Sequence, residues 1–255
     1  MSGNNAILQI DGLRKVFGGV VALDDLCLSV GENTITSVIG PNGAGKTTVF
    51  NLITGYLAPS AGAMVYKNHR LQGTKPHKIA LLGIGRTFQN VRIFPDMSVL
   101  ENVMVGRHAR SRAGVTISAL LPAFLRPEEK RIQADARNWL DFVGLGDSAD
   151  MPAGSLPLGQ QRMLEVARAL AIEPDLLLLD EPASGLNSRE TIAMGDLINR
   201  IRENRITVML VEHDMELVME VSDRVAVMNF GRLVAEGTPR EVQEDPEVIA
   251  AYLGE

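Results

Sequence analysis

The chain has 255 residues, 45% of them apolar, 22% charged and 4% aromatic, with a formal net charge of −6. That length fits one large domain or two intimately joined ones with a sizeable core, and the apolar share excludes a disordered chain. The mild acidity argues against a nucleic-acid binder, no stretch reaches the roughly 18 apolar residues of a membrane span, and no signal peptide opens the chain.

In chain order, the first third reads as strands and turns. Ala6 to Ile10, Leu26 to Val30 and Thr34 to Ile39 are short and β-branched or alternating, punctuated by Gly18-Gly19, Gly31 and Gly40. The single cysteine, Cys27, excludes an internal disulfide framework, fits a reducing compartment and is expected as a packed strand residue. From Lys46 to Leu57 the pattern turns helical, with Val49, Leu52, Ile53 and Tyr56 at helical steps. A middle block from Phe94 to Pro152 is mostly helical, with interruptions expected at Pro122 and Pro127. Within it, Arg107 to Arg137 carries seven Lys/Arg against three Asp/Glu, either a solvated helix pair or a surface turned toward a membrane partner. Strands return at Leu176 to Leu179 and Thr207 to Val211, separated by a helix-like stretch from Arg189 to Glu203. Strand and helix in alternation predict an α/β fold with a largely parallel sheet.

Two segments carry chemistry. Gly40-Pro41-Asn42-Gly43-Ala44-Gly45-Lys46-Thr47 matches G-x-x-x-x-G-K-[ST] between an apolar strand and a helix. The glycines let backbone N–H groups converge on phosphate oxygens at a helix N-terminus, Lys46 reaches the β- and γ-phosphates, and the Thr47 hydroxyl suits Mg²⁺. Leu176-Leu177-Leu178-Leu179-Asp180-Glu181 adds a strand buried on both faces and ending in two carboxylates. Ionised Asp180 is costly to bury without a partner such as Mg²⁺, and Glu181 is placed to orient or deprotonate an attacking water. Together the two segments predict a nucleoside triphosphatase.

Lys46 and Asp180 lie far enough apart for the helical block to be an insertion between two halves of the site. At this point nearly the whole chain resembles the ATP-binding subunits of ABC transporters. The resemblance implies a P-loop ATPase core of mostly parallel sheet with N-terminal antiparallel strands, all within a single domain over 1–255. Segments 1–93 and 153–255 form that core, and 94–152 is an inserted helical subdomain. It implies adenine stacking on Phe17, and a glutamine loop at Gln89 that senses Mg²⁺ and the attacking water. His213 becomes a switch histidine at the γ-phosphate. The nucleotide contacts then comprise Phe17, Gly40, Pro41, Asn42, Gly43, Ala44, Gly45, Lys46, Thr47, Thr48, Leu156, Gly159 and Gln160. The metal set is Thr47, Gln89 and Asp180, and the catalytic set Glu181, His213 and Gln89.

Two stretches depart from the family pattern. The signature Leu-Ser-Gly-Gly-Gln stands here as Leu156-Pro157-Leu158-Gly159-Gln160, and Ser184-Gly185-Leu186-Asn187 has Asn where Asp is usual. In the family the signature binds ATP held by the opposite subunit of a head-to-tail dimer, and Pro157 has neither hydroxyl nor N–H to offer. This implies a non-identical ATPase partner with a more regular signature. Gly85 to Phe94, Met97 to Val103, and the tail from Gly237 to Gly254 look like ATPases of branched-chain amino-acid importers. Such importers add two membrane permease subunits and an extracytoplasmic binding protein. The expected location is cytoplasmic, peripheral on the inner face of the membrane. Alternatives are ATPases for urea or short amides, for lipopolysaccharide export, or of a non-transport ABC protein.

Overall fold

In the computed structural model the described residues are 6–108 and 122–253. β1 (Ala6–Phe17) and β2 (Val20–Gly31) form an antiparallel hairpin closed at Gly18-Gly19, with Ile10 opposite Leu28 and Phe17 opposite Val20. Both strands run further than their apolar runs, because Asp11, Arg14 and Lys15 interrupt the hydrophobic pattern without interrupting the ladder. Cys27 sits on the outer face of β2, exposed rather than packed, and its sulfur accepts the Gly12 N–H at 3.3 Å.

β3 (Ile35–Ile39) leads through the glycine loop into α1 (Lys46–Ile53), and β4 (Ala61–Tyr66) and β5 (His69–Arg70) complete a sheet of order β2-β1-β4-β5. α1 ends four residues before the expected Leu57, because Gly55 takes φ +73 just past its end. Tyr56 consequently leaves the core and is 58% exposed. After α2 (Pro76–Leu81) and β6 (Ile84–Arg86) come α3 (Val99–His108), α4 (Pro122–Val143) and α5 (Leu158–Leu170). Pro122 opens α4, and the helix passes through Pro127 instead of breaking there. β7 (Leu176–Asp180), α6 (Ser188–Glu203), β8 (Thr207–Val211), α7 (Met215–Val221), β9 (Arg224–Asn229) and β10 (Arg232–Gly237) follow, then α8 (Pro239–Gln243) and α9 (Pro246–Leu253).

The second sheet has the order β10-β9-β3-β8-β7-β6, parallel except for β9 with β10. Every residue of β3, β7 and β8 is buried, as expected of parallel strands covered on both faces. One core lies between the two sheets around α1. Another joins the opposite face of the parallel sheet to α3, α4, α5 and α6. This agrees with the predicted mostly parallel sheet preceded by antiparallel strands. Among the described residues no helix is long and apolar enough to cross a membrane.

The basic stretch is less free than its composition implied. Arg107 pairs with Asp135 at 2.9 Å and Glu173 at 3.0 Å, Arg137 with Asp150 at 3.7 Å, and Arg131 with Asp135 at 4.0 Å. Arg110 and Arg112, and the side chain of Arg126, lie outside the described residues.

Candidate nucleotide site

The loop after β3 turns on glycines for which a side chain has no room. A Cβ on Gly40 (φ +146) would run into the Met228 carbonyl, and one on Gly45 (φ +103) would meet Leu23 and the Ala22 carbonyl within 2.8 Å. The loop is anchored from outside by the Gly231 N–H, which donates to the Ala44 carbonyl at 3.0 Å. Nothing lies within 4 Å of the Cβ position on Gly43, so the turn is open on that side. Lys46 is only 6% exposed and folds back, donating to the Gly40 carbonyl at 2.7 Å and the Pro41 carbonyl at 3.0 Å. Burial lowers the pKa of its ammonium, and the nearby Glu181 and Asp180 charges oppose that shift.

Asp180 ends β7 and is 2% exposed. Its Oδ2 accepts Arg86 Nη2 at 2.9 Å, while Oδ1 is buried without a partner. Burial raises its pKa, against the hydrogen bond and charge of Arg86. The same guanidinium donates to Asn51 Oδ1 at 2.8 Å and Thr54 Oγ1 at 3.0 Å, so Arg86 ties β7 to α1. Replacing Arg86 by Met strands a buried carboxylate, and unfolding by denaturant is expected to show a loss of about 3–5 kcal/mol. A variant as stable as the parent would show that this pair contributes nothing.

Thr47, Asn51, Arg86, Gln89 and Asp180 line one cleft of about 360 Å³. A hydroxyl, an amide and a carboxylate with an unsatisfied oxygen are hard oxygen donors that fit Mg²⁺. The described residues contain no cluster of three His, Cys, Asp or Glu that would hold a metal. A cation in this cleft would complete its shell with water and phosphate oxygens.

Glu181 follows in a left-handed conformation, φ +51, its N–H donating to the Val211 carbonyl at 2.8 Å. That turn aims its carboxylate between two partners. Gln89 Nε2 donates to Oε2 at 2.9 Å, and His213 Nε2 lies 2.7 Å from Oε1. Gln89, Glu181 and His213, far apart in the chain, thus form one hydrogen-bonded row. Behind it, buried Glu212 accepts the N–H groups of Ala183 at 2.7 Å, His213 at 2.9 Å and Asp214 at 3.4 Å, and burial pushes its carboxyl pKa up.

The segment Leu156 to Gln160 opens α5, with Pro157 as its N-cap and no side chain capping it. Gly159 packs against the Glu190 carboxylate, leaving its Cβ position 2.6 Å from Glu190 Oε1. Leu156, Gly159 and Gln160 are absent from the lining of the cleft that holds Thr47 and Asp180. Phe17 stands 43% exposed at the hairpin end, with Lys15 Nζ 4.8 Å from its ring centre, while Ala22 and Leu23 of the same hairpin pack on Gly45.

Sequence relatives and solved structures match this arrangement along nearly the whole chain. Residues 23–184 match the ABC transporter family, and residues 232–255 the branched-chain amino acid ATP-binding cassette transporter family. The chain is 45% identical over 251 residues to the high-affinity branched-chain amino acid transport ATP-binding protein BraF of Pseudomonas aeruginosa, covering 98% of each. It is 44% identical over 252 residues to the corresponding protein LivG of Salmonella typhimurium, again covering 98% of each. The ADP conformation of an ATP-binding cassette of an ABC transporter superimposes with TM-score 0.86 at 31% identity, covering 98% of this chain and 99% of that one.

The chain belongs to the ABC transporter ATP-binding family. It is therefore an ATPase; of the expected residues, Thr47, Gln89 and Asp180 line one cleft, and Gln89, Glu181 and His213 form one hydrogen-bonded row. Sequence reasoning missed three buried groups of this ABC ATPase. Arg86 lies within the segment Gly85 to Phe94, but its pairing with Asp180 depends on β6 lying beside β7. Glu212 precedes His213 in the sequence, and nothing there marks it as buried. Arg162 of α5 donates to the Gln89 carbonyl at 2.8 Å and the Ser184 carbonyl at 3.2 Å.

Asn187, which departs from the family's Asp, has a clear local role. Its Oδ1 accepts the Glu190 N–H at 3.1 Å and Glu190 Oε2 accepts the Asn187 N–H at 3.0 Å, a capping box at the start of α6. Asn and Asp cap about equally well. Asn187→Asp is therefore expected to leave thermal stability unchanged, and Asn187→Ala to remove about 1 kcal/mol. Equal stability of the Ala variant would contradict the capping role.

Proposed function

We propose that this ATPase drives uptake of branched-chain amino acids through separate membrane subunits, with Glu181 activating the water that attacks the γ-phosphate. The observation that carries the chemistry is the Gln89–Glu181–His213 row, one residue beyond Asp180. Two fixed hydrogen bonds orient the Glu181 carboxylate and restrict it to one approach direction. The loop N–H groups of Gly40 and of Asn42 to Thr48 and the Lys46 ammonium bind the phosphates, and Phe17 stacks on adenine. Lys46 exchanges its carbonyl partners, Gly40 and Pro41, for phosphate oxygens when ATP arrives. Thr47, Asp180 and Gln89 would hold Mg²⁺, which supplies charge neutralisation at the β- and γ-phosphates.

In this reading Leu156, Gly159 and Gln160 meet the nucleotide of a second ATPase subunit in a head-to-tail dimer. Support comes from the α5 N-terminus, which has no side-chain cap at Pro157 and carries the Glu190 carboxylate beside Gly159. Pro157 adds no donor, which favours a non-identical partner with a fuller signature. Helices α3 and α4 and the groove beside them face the membrane subunits. That groove, about 740 Å³, runs past Tyr56, Phe88, Phe94 and Val105, and it gives exposed Tyr56 a use outside the core. A binding protein outside the membrane completes the assembly, which holds this chain at the inner membrane face. The substrate follows from full-length similarity to the branched-chain amino-acid ATP-binding proteins. Purification of the tagged chain from membranes is expected to bring two integral proteins and a second ATPase. Recovery of the chain alone, or with an identical copy only, would contradict this assembly.

A further inference from the structure

Helix α5 grips both reactive loops through two buried side chains. Arg162 Nη1 donates to the Gln89 carbonyl at 2.8 Å and, more weakly, to the Phe88 carbonyl at 3.4 Å, and Nη2 donates to the Ser184 carbonyl at 3.2 Å. One turn further on, Glu165 Oε1 accepts the Arg92 N–H at 2.7 Å. The two side chains are themselves 3.8 Å apart at closest, longer than the bonds each makes to the Gln89–Arg92 loop. Their strongest hydrogen bonds therefore hold loop backbone rather than each other. The loop needs such a hold, because residues 89–94 belong to no helix or strand. Arg162 also fixes Ser184, three residues beyond Glu181, so one guanidinium sets the backbone on both sides of the Gln89–Glu181 hydrogen bond.

We propose that Arg162 and Glu165 are positioning residues that couple the N-terminus of α5 to the Gln89–Glu181 pair. The proposal deepens the preceding section and rests on its reading of Gln89 and Glu181. Pro157, the N-cap of α5, and Arg162 are five residues apart, about 7.5 Å along the helix. An anion drawn to that N-terminus moves a rigid rod whose side chains carry the Gln loop and the loop after Glu181 with it. Phosphate held between subunits is thereby sensed at the attacking water without contact between the two.

The test uses the full chain with Arg162→Met, Arg162→Lys, Glu165→Met and Glu165→Gln, reading ATP turnover and amide hydrogen exchange over residues 88–92. Arg162→Met is expected to lower kcat at least about tenfold, since small misplacement of reacting groups costs up to about 100-fold, with KM within about twofold. Exchange at the Gln-loop amides rises in the same variant. Arg162→Lys recovers part of both, because one ammonium reaches fewer carbonyls than a guanidinium. Glu165→Met exposes the Arg92 amide to exchange, and Glu165→Gln, which can still accept that N–H, keeps it protected. Faster exchange with unchanged turnover overturns the coupling, and so does reduced turnover with unchanged exchange. If Arg162→Met does not fold, Arg162→Lys and Glu165→Met decide by the same two readouts. Full activity in Glu181→Gln would overturn the reading of Glu181, while the exchange pattern would still decide whether α5 holds the loop.

Discussion

Glu181→Gln is expected to lower ATP turnover by about 10²–10⁴-fold, the contribution of a positioned general base, while ATP affinity stays within about threefold. The substitution keeps shape and removes charge and basicity. It also changes what the row can exchange on the His213 side. Glu181 now accepts a hydrogen from Gln89 Nε2 and pairs with His213 Nε2, and an amide has only one accepting oxygen. The oxygen can still accept from Gln89, while the amide nitrogen keeps His213 only where His213 Nε2 is the accepting nitrogen. Asp180, Thr47 and the loop amides are untouched, which is why binding survives. Phosphate release and nucleotide titration on the same preparation measure the two quantities. A variant that kept turnover would show that Glu181 merely shapes the turn after β7.

Lys46→Ala is expected to reduce ATP affinity by roughly 10- to 150-fold for each charge-assisted bond lost, at about 1.5–3 kcal/mol per bond. The effect on folding is expected to be small, for a reason that the sequence alone did not show. A loop lysine ordinarily contributes little packing, yet Lys46 is buried and donates to two carbonyls of its own loop. Losing those bonds weakens the nucleotide-free fold, but burial of the ammonium also carries a cost, seen in its lowered pKa. The two offset, leaving a change within about 1–2 kcal/mol. Calorimetric unfolding without nucleotide and titration with ATP check both halves. An unfolded Ala variant would contradict the first half, and unchanged ATP affinity the second.

What could be read from the sequence follows from how local each feature is. The glycine loop is contiguous, and two of its glycines, Gly40 and Gly45, leave no room for a side chain, so eight letters identify it. The four leucines before Asp180 placed a doubly covered strand correctly, because burial on both faces removes alternation. Gln89 and His213 were found through family resemblance, since an isolated Gln or His carries no signal of its own. Arg86 with Asp180 and Arg162 with Gln89 stayed hidden because the partners are 94 and 73 residues apart. Only the order of strands and the seat of α5 bring them together. Local rules failed where tertiary context overrode them. Polar outer-face residues concealed the length of β1, a left-handed Gly55 ended α1 before Tyr56, and Arg107 found carboxylates on two other segments.

Whether hydrolysis by this chain drives transport is measured by ATP-dependent leucine uptake into vesicles that contain the complex co-purified with it. With ATP on the side of this subunit, the account predicts uptake by the parent complex and none above background when this chain carries Glu181→Gln. Equal uptake by the two complexes would contradict it.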